Sequence, residues 1–307
     1  MNILITGGAG YLGTELSGRL IGLPEVNEVR IYDNLSRKQH DFFLGHRKEG
    51  FEKIKFIQGD LLDSRKLKKA LDGVDIVYHL AAFVTTPFAN ADPHTYEQVN
   101  HWGTAELTYA LEQAQQVKRV IYASSTSVFG AQKAPVTEAT VPNPRTFYGI
   151  SKMRGEEHIR RLGDSKTTYI LRFGNVYGYN RSLRFDAVIN RFMFDAHFTG
   201  RLSIHGDGQQ HRAFLPIDLA GKVMTELAHS DAPSGSYNVI DQNRMVLDLV
   251  DVFKELYPEL EFIFINQHLS LRELKVDPQS ALRQYIDYSN PHSLKEELEV
   301  FRGKFSF

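Results

Sequence analysis

The 307-residue chain contains no cysteine. A thiol is needed for disulfides, for thiolate catalysis and for zinc–thiolate sites, so this absence excludes all three. Long apolar runs are also missing, because no stretch approaches the ~18 apolar residues of a membrane-spanning helix. The first apolar strand pattern begins almost at Met1, before a secretory leader would be complete. We therefore expect a cytoplasmic protein without a membrane partner.

An excess of charge of one sign is equally absent. The chain has 36 Lys and Arg against 37 Asp and Glu, for a formal net charge of −1. Such a balance provides no basic field that would attract nucleic acid or acidic lipid surfaces. Internal repeats and low-complexity linkers are not found either, while the hydrophobic content of 42% is ordinary for a packed core. These features favour a folded enzyme or binding protein that recognises small molecules.

Short apolar runs alternate with segments of helical length through the first two-thirds of the chain. The runs are residues 3–6, 29–32, 54–57, 76–80, 120–123 and 169–173. Strand–helix alternation of this kind predicts a parallel sheet with helices on both faces. The runs are apolar throughout rather than alternating, as strands buried on both faces should be. The predicted fold class is a doubly wound (Rossmann) α/β sheet.

Longer helical patterns run from about 94 to 116 and from about 149 to 162. After Phe173 the pattern becomes irregular and richer in charge and aromatic residues. We predict a dinucleotide-binding domain from 1–173 plus about 213–254, with segment 237–240 returning to the sheet. A smaller, mostly C-terminal α/β substrate lobe would comprise about 174–212 plus 255–307.

A glycine-rich turn follows the first predicted strand and leads directly into a helix pattern. Its glycines are Gly7, Gly10 and Gly13, with Tyr11 and Leu12 between the last two. Glycines at this spacing let the backbone turn tightly and approach a pyrophosphate, which the positive end of the helix stabilises. Because the turn lies between a strand and a helix, it predicts a dinucleotide site.

The second strand ends in Asp33, twenty positions after Gly13. An acid at this place accepts hydrogen bonds from the adenosine ribose and repels a 2′-phosphate, which favours NAD over NADP. Arg37 and Lys38 follow closely and leave NADP open, and Asp33 with Asn34 is also a common turn pair. Further cofactor contacts are predicted at Asn34, Asp60, Leu61, Ala81 and Ala82. No metal site is predicted.

Tyr148 and Lys152 lie one helical turn apart and share a face. An ammonium beside a phenol favours the phenolate, so this tyrosine could exchange a proton with a sugar hydroxyl near neutral pH. With fourteen tyrosines, one such spacing is expected by chance. Ser125 adds context, because it ends the fifth predicted strand at the sheet edge where ligands bind. Its hydroxyl could stabilise charge on the reacting oxygen.

Taken in order, the glycine turn, Asp33, the segment from Ser125 to Gly130 and the segment from Tyr148 to Lys152 resemble the extended short-chain dehydrogenase/reductases. Within these, the first 220 or so residues are most similar to the nucleotide-sugar epimerase/dehydratase family. The resemblance implies a retained NAD, a nucleotide-diphosphate sugar as substrate, and a homodimer formed through the two long helices.

The resemblance also implies a role for individual residues. Tyr148 would be the acid/base, Lys152 would tune it and bind the nicotinamide ribose, and Ser125 would be the catalytic serine. Asn100 matches the family's helix asparagine near the cofactor. His101 stands where the family usually has valine, and both His101 and His79 are interpreted as packing or surface residues.

On the substrate side, the segment 171–178 resembles the family strand that passes beneath the nicotinamide, which implies that Asn175 contacts the diphosphate. The segment 206–214 resembles the one whose arginine, here Arg212, grips a phosphate. Ala213 replaces the usual Asp, and Thr126 is assigned to the substrate. Asp218 is expected to cap a helix. Among other arginines, one of Arg181, Arg184 and Arg191 could touch the nucleotide, and Arg272 and Arg283 are candidates for a second phosphate ligand.

Three reactions belong to this family. The 4,6-dehydratases place an Asp–Glu pair directly after the catalytic Ser/Thr, where this chain has Thr126 and Ser127, so dehydration is disfavoured. Epimerisation at C4, through a transient 4-keto sugar, needs only one acid/base and is favoured. An NAD(P)H-dependent 4-ketoreductase stays open, as does a non-catalytic dinucleotide sensor on the same fold. The sequence does not identify the sugar or the nucleotide.

Overall fold

A computed structural model describes residues 1–38, 40–44, 49–84, 92–266 and 273–306. The strands are β1 (Asn2–Thr6), β2 (Glu28–Asp33), β3 (Ile54–Gln58), β4 (Ile76–His79), β5 (Arg119–Ser125), β6 (Thr167–Phe173), β7 (Asn175–Tyr177), β8 (Arg201–His205), β9 (His211–Pro216), β10 (Gly235–Val239), β11 (Gln242–Met245) and β12 (Glu261–Ile265). The α-helices are α1 (Tyr11–Leu20), α2 (Ser64–Ala70), α3 (Pro93–Tyr96), α4 (Gly103–Gln113), α5 (Phe147–Arg160), α6 (Val188–Thr199), α7 (Ile217–Glu226), α8 (Val246–Leu256) and α9 (Leu294–Arg302).

Seven strands form the central sheet, in the order β10-β6-β5-β4-β1-β2-β3. All neighbouring pairs are parallel. The doubly wound fold and the six predicted strands are confirmed, and segment 237–240 contributes β10 beside β6. The inner strands β1, β4, β5 and β6 are almost wholly buried, which explains their uninterrupted apolar sequences. The edge strand β3 is more open and leaves Lys55 and Gln58 exposed.

The helix predicted over 94 to 116 is not one regular helix, and this prediction was wrong in detail. It begins as α3, continues through a wider π-helical turn over Glu97–Trp102, and becomes regular again as α4. A π-turn displaces the following residues around the helix axis and is frequent at functional sites. Asn100 lies in this turn and is fully buried beneath the end of β4.

The second lobe is built from short strands. In one small sheet the order is β11-β9-β7, and β8 pairs in parallel with β12. Helices α6, α8 and α9 pack against one another, with the rings of Phe192 and Phe253 edge-to-face at 5.8 Å. The 213–254 range thus contains β10 of the central sheet and β11 of the small one, and the predicted domain division stays a prediction.

Asp218 corrects another expectation. It lies in the first turn of α7 but does not cap the helix, whose N-cap residue is Pro216. The carboxylate of Asp218 instead pairs with the guanidinium of Arg19 on α1. The residue therefore joins two packed helices. None of the helices in the described ranges has the length and apolarity that a bilayer crossing requires.

Candidate active site

A cavity of about 540 Å³ opens along the carboxyl edge of the central sheet. This is the edge at which doubly wound sheets bind their ligands. Sixteen of the residues selected from the sequence line it: Gly7, Gly10, Tyr11, Leu12, Gly13, Asp33, Asn34, Asp60, Leu61, Ala81, Ala82, Ser125, Thr126, Tyr148, Lys152 and Asn175. Two others, Asn100 and Arg212, are not among its lining residues. The fold thus gathers the separate motifs at one site.

The glycine turn has the geometry of a phosphate cradle. Gly7 has φ +68°, in the left-handed region that favours glycine, and a Cβ there would lie 2.6 Å from the backbone of Ala81. Helix α1 begins after Gly10, and no side chain of the described residues caps its first N–H groups. These N–H groups and the helix dipole therefore remain available to an anion. The Tyr11 hydroxyl donates to Gly178 O and links α1 to the second lobe.

Asp33 occupies the position expected for a ribose-binding acid. Its two carboxylate oxygens accept hydrogen bonds from the N–H groups of Ala9 (3.1 Å) and Leu35 (2.8 Å). Burial raises the pKa of Asp33, and these backbone donors oppose the shift. Arg37 also lines the cavity, and its Nη2 lies 3.4 Å from Val84 O and 3.5 Å from Asp186 Oδ1. The pocket presents the carboxylate of Asp33 to the ribose, which fits NAD.

The far end of the cavity is a polar pocket around Asp60. The side chain of Asn34 donates to Asp60 Oδ2 over 2.8 Å, and the Tyr32 hydroxyl donates to the main-chain oxygen of the same residue over 2.7 Å. Beside it, Leu61 supplies a buried apolar wall. This combination suits the flat, polar-edged ring of an adenine.

Ser125 is the last residue of β5 and caps the short 3₁₀ turn Thr126–Phe129. Its Oγ accepts a hydrogen bond from Ser127 N over 3.1 Å. Because a hydroxyl both accepts and donates, this bond leaves the Ser125 hydrogen for a further acceptor in the cavity. The turn thereby orients the Ser125 side chain and leaves its O–H group able to donate.

The first turn of α5 places Tyr148 in the same cavity as Ser125. The Thr146 hydroxyl caps the helix by accepting from Gly149 N over 3.1 Å. A Cβ on Gly149 would lie 2.6 Å from Ser127 O, so only glycine lets α5 approach the 3₁₀ turn this closely. Tyr148 also lies near the positive end of the helix dipole, which stabilises negative charge.

Lys152, one helical turn after this tyrosine, is 2% exposed. Its Nζ donates to Ala123 O over 2.7 Å and lies 4.7 Å from the centre of the Tyr122 ring. Burial lowers the pKa of Lys152 to about 7, and the nearby carboxylate of Glu156 opposes that shift. The ammonium is thus poorly solvated and poised to interact with negative charge in the cavity.

A buried ion pair that the sequence analysis missed supports this arrangement. Glu156, one turn after Lys152, accepts from Arg172 Nε (2.9 Å) and Nη2 (2.8 Å) and from the Ser124 hydroxyl (2.6 Å). These bonds join α5 to both β5 and β6. The available signal was an acid four residues after the lysine on the same helical face; its partner Arg172 had no local signal.

Asn100 lies behind the residues that line the cavity and hydrogen-bonds to neighbouring segments. Its side chain accepts from Phe83 N (2.7 Å) and donates to Phe83 O (3.0 Å) and to Ser151 Oγ (3.1 Å). Ser151 in turn donates to Tyr148 O over 2.9 Å. The π-turn is therefore connected to both the segment after β4 and α5.

Of the three arginines noted in the second lobe, Arg184 reaches the cavity. It forms a two-point ion pair with Asp186, at 2.9 and 3.2 Å. Burial disfavours its charge, but Asp186 outweighs this and raises the pKa of Arg184, with smaller contributions from Tyr148 and Tyr11. Arg184 thus places a cation in the cavity within electrostatic reach of Tyr148.

The remaining arginines have other contacts. Arg181 donates to Leu44 O over 2.6 Å, and Arg191 pairs with Asp195 on its own helix. Arg283 lies against the Tyr288 ring at 3.9 Å and donates to two main-chain oxygens, which indicates a structural role. Arg272 lies outside the described residues.

Asn175 and Arg212 are neighbours through the small sheet. The Asn175 amide donates to Ala213 O over 3.0 Å, next to Arg212 on β9. Arg212 Nη1 donates to His211 O over 3.2 Å. Ala213 is buried and provides no carboxylate to orient the guanidinium, in line with the departure seen in the sequence.

Comparison with known proteins agrees with this geometry. The model of the "NAD dependent epimerase/dehydratase family" matches residues 3–239. An uncharacterized UDP-glucose epimerase, YtcB, from Bacillus subtilis is 31% identical over 231 residues, which cover 73% of this chain and 72% of that protein. Human dTDP-D-glucose 4,6-dehydratase is 27% identical over 94% of this chain and 78% of its own length.

Among solved structures, UDP-glucuronic acid 4-epimerase from Bacillus cereus, in complex with UDP-glucuronic acid and NAD, superposes with a TM-score of 0.85. The two chains are 24% identical, and the superposition covers 99% of this chain and 98% of that one. The fold is therefore shared over the whole length. This chain is an enzyme of the NAD-dependent epimerase/dehydratase family, and its cofactor is NAD.

Proposed function

We propose that the protein is an NAD-dependent epimerase that acts on a nucleotide-diphosphate sugar, at C4, through a transient 4-keto sugar. One observation carries this proposal: a single cavity brings Ser125, Tyr148 and Lys152 together with the dinucleotide turn. The family membership supplies the reaction class. Thr126, Asn175 and Arg212 are proposed to contact the substrate.

In this proposal Tyr148 takes the proton from the sugar hydroxyl and later returns it. The cations of Lys152 and Arg184, which line the same cavity, stabilise the phenolate that makes this possible near neutral pH. The Ser125 hydroxyl donates to the same sugar oxygen and stabilises the charge it develops. Bound NAD supplies the acceptance and return of the hydride. Turning of the keto sugar between these two transfers inverts the carbon.

The carboxylates around the cavity argue against dehydration. Those among its described lining residues are Asp33 and Asp60, both at the adenosine end. The positions after Ser125 are Thr126 and Ser127, neither of which can act as the acid or base that removes water from a sugar. The relatives include dehydratases, but the described side chains that line the cavity with Tyr148 suffice only for proton exchange at one hydroxyl.

The deciding experiment measures cofactor and turnover separately. The purified protein is denatured and its supernatant is tested for NAD. The native protein is then assayed with uridine-, thymidine-, guanosine- and cytidine-diphosphosugars, including both neutral and acidic sugars. Retained NAD with interconversion at one carbon is expected. Net consumption of NAD(P)H by a keto sugar would instead identify a reductase, and cofactor binding without turnover would identify a sensor.

We further propose a homodimer. Trp102 and Tyr109, on the π-turn and α4, are 49% and 41% exposed, and Phe147 at the start of α5 is also exposed. Large aromatic side chains on two adjacent helices suit a symmetric helix-to-helix contact, in which the same patch of each subunit meets its copy.

A further inference from the structure

Glu156 on α5 is a fully buried acid that takes no direct part in the proposed proton exchange. Of the Asp and Glu side chains in the described parts of the chain, no other is buried to this degree. A buried carboxylate is costly unless cations and hydrogen-bond donors surround it. The groups around Glu156 therefore indicate the role of its charge.

Two buried cations lie near this one buried carboxylate. Arg172 on β6 forms the two-point ion pair with it, at 2.9 and 2.8 Å. Lys152, one helical turn before Glu156, is within reach of the same negative charge, which raises its pKa against the effect of burial. Arg160 adds a third cation from the exposed side of the helix, at 2.6 Å. The charge of Glu156 thus acts on Lys152 as well as on the two arginines.

The other titratable groups that face Lys152 carry no negative charge before the reaction. His79 on β4 is neutral, since burial lowers its pKa to about 3 and Lys152 contributes to the shift. Tyr122 on β5, whose ring centre lies 4.7 Å from Lys152 Nζ, is neutral because burial raises its pKa well above the usual value. Tyr148, one turn earlier on α5, becomes negative only when it has lost its proton. Glu156 is therefore the carboxylate that favours the ammonium form of Lys152.

Glu156 and Lys152 also hold the end of β5. Lys152 Nζ donates to Ala123 O over 2.7 Å, and the Ser124 hydroxyl donates to Glu156 Oε1 over 2.6 Å. These two bonds reach successive residues of the strand, and Ser125 follows directly. The strand end that carries Ser125 is thus fixed against α5.

We propose that Glu156 is a positioning residue for proton exchange at Tyr148: its carboxylate keeps Lys152 in the ammonium form and holds the end of β5 against α5. Glu156 is not among the described residues that line the cavity, so it acts through Lys152 and Ser124. Without the carboxylate, burial would favour the neutral amine, which cannot stabilise a phenolate. This inference rests on the proposed role of Tyr148 in the epimerase reaction.

The first test follows the proton on Lys152 and needs no sugar substrate. The NAD-loaded protein is labelled with carbon-13 at the lysine Cε, whose NMR shift reports the charge of the amine, and the Lys152 signal is identified by its absence from Lys152→Met. In Glu156→Gln the midpoint of this titration should fall by about one pH unit or more, because a nearby buried charge is removed. Glu157→Gln, which removes the same charge from the exposed neighbouring position, should leave the midpoint unchanged.

The second test is the pH dependence of kcat/KM with the sugar nucleotide that the wild type interconverts. Because the ammonium is lost at a lower pH, the rate of Glu156→Gln relative to wild type should fall by roughly tenfold between pH 6 and pH 8. A residue that only stabilises the fold would lower the rate by the same factor at both pH values. Glu156→Asp keeps the charge and should recover part of the rate at pH 8.

Glu156→Gln leaves Arg172 without a carboxylate in the interior, so a second variant removes both charges. In Glu156→Gln/Arg172→Met no buried arginine lacks its partner. The Lys152 midpoint should still fall, by less than in the single variant, because Arg172 no longer repels the ammonium. An unchanged midpoint in Glu156→Gln, or in the double variant if the single one does not fold, would overturn the inference and leave the proposed function intact. A wild type that interconverts no sugar nucleotide would overturn the proposed function instead.

Discussion

Tyr148 is the residue on which the proposed chemistry depends. The Tyr148→Phe variant keeps the ring, its 6.0 Å contact with the Tyr96 ring and the helix, and loses only the hydroxyl that exchanges the proton. We expect kcat to fall by about 10²–10⁴-fold while NAD stays bound, as for the loss of a general acid/base. Kinetics and NAD content are measured together, with Tyr179→Phe, on an exposed ring outside the cavity lining, as control. Unchanged turnover in Tyr148→Phe would contradict the assignment.

His79 shows a purely structural use of a titratable side chain. It is fully buried between two hydroxyls, with Nδ1 2.7 Å from Thr6 Oγ1 and Nε2 2.8 Å from Thr104 Oγ1. Since Thr104 donates its hydrogen to Asn100 O, it accepts from His79 Nε2–H, and Nδ1 therefore accepts from Thr6. The chain of bonds requires a neutral imidazole, and burial lowers the pKa of His79 to about 3.

This buried histidine makes stability depend on pH. Below about pH 6.5 the unfolded chain takes up a proton at His79 that the native protein excludes, so stability falls as the pH falls toward 3. In His79→Gln this loss is absent. Between about pH 7 and about pH 5, the wild type should lose about 2 kcal/mol more unfolding free energy than the variant. Urea unfolding at both pH values measures this difference, and equal losses would show that His79 has the same pKa in the folded and unfolded protein, which would contradict the buried neutral imidazole.

At the scale of elements, the approach of α5 to the 3₁₀ turn after β5 sets the distance between Tyr148 and Ser125. The Gly149→Ala variant places a methyl group 2.6 Å from Ser127 O, so the helix must shift. We expect a loss of about 1–3 kcal/mol in unfolding free energy, typical of overpacking, together with a fall in kcat.

Gly163→Ala is the matched control for this change. The nearest atom to a Cβ at position 163 is Thr168 Oγ1, at 3.9 Å, which is ordinary contact. Its stability should stay within about 0.5 kcal/mol of wild type. If Gly149→Ala behaved like Gly163→Ala in both denaturant unfolding and turnover, the close packing of α5 would not be what positions the site.

At the scale of the whole molecule, the proposed dimer makes a simple prediction. Light scattering should give twice the chain mass of 35.0 kDa for the wild type, because Trp102 and Tyr109 would be covered by the partner. Trp102→Glu should shift the mass toward that of one chain, since a charge in an apolar interface lacks a partner. Val300→Glu, at an exposed position on α9, should leave it unchanged. A wild-type mass near 35.0 kDa would contradict the dimer.

The sequence by itself determined the fold class, the strands of the central sheet and the cofactor. These properties depend on local patterns: uninterrupted apolar runs for strands buried on both faces, and glycines at 7, 10 and 13 followed by Asp33 for NAD. The order of the motifs also placed Ser125, Tyr148 and Lys152 correctly at the cavity, because the carboxyl ends of parallel strands meet at one edge.

Tertiary structure alone decided which distant side chains meet. The Glu156–Arg172 pair and the electrostatic contact between Arg184 and Tyr148 depend on packing between elements. The hydrogen bonds that join Asn100, in the π-turn, to Phe83 and Ser151 likewise connect separate elements. Contacts of this kind join residues far apart in the chain, so they cannot be predicted from the spacing of neighbouring residues. They determine the orientation of the side chains in the site and its charge.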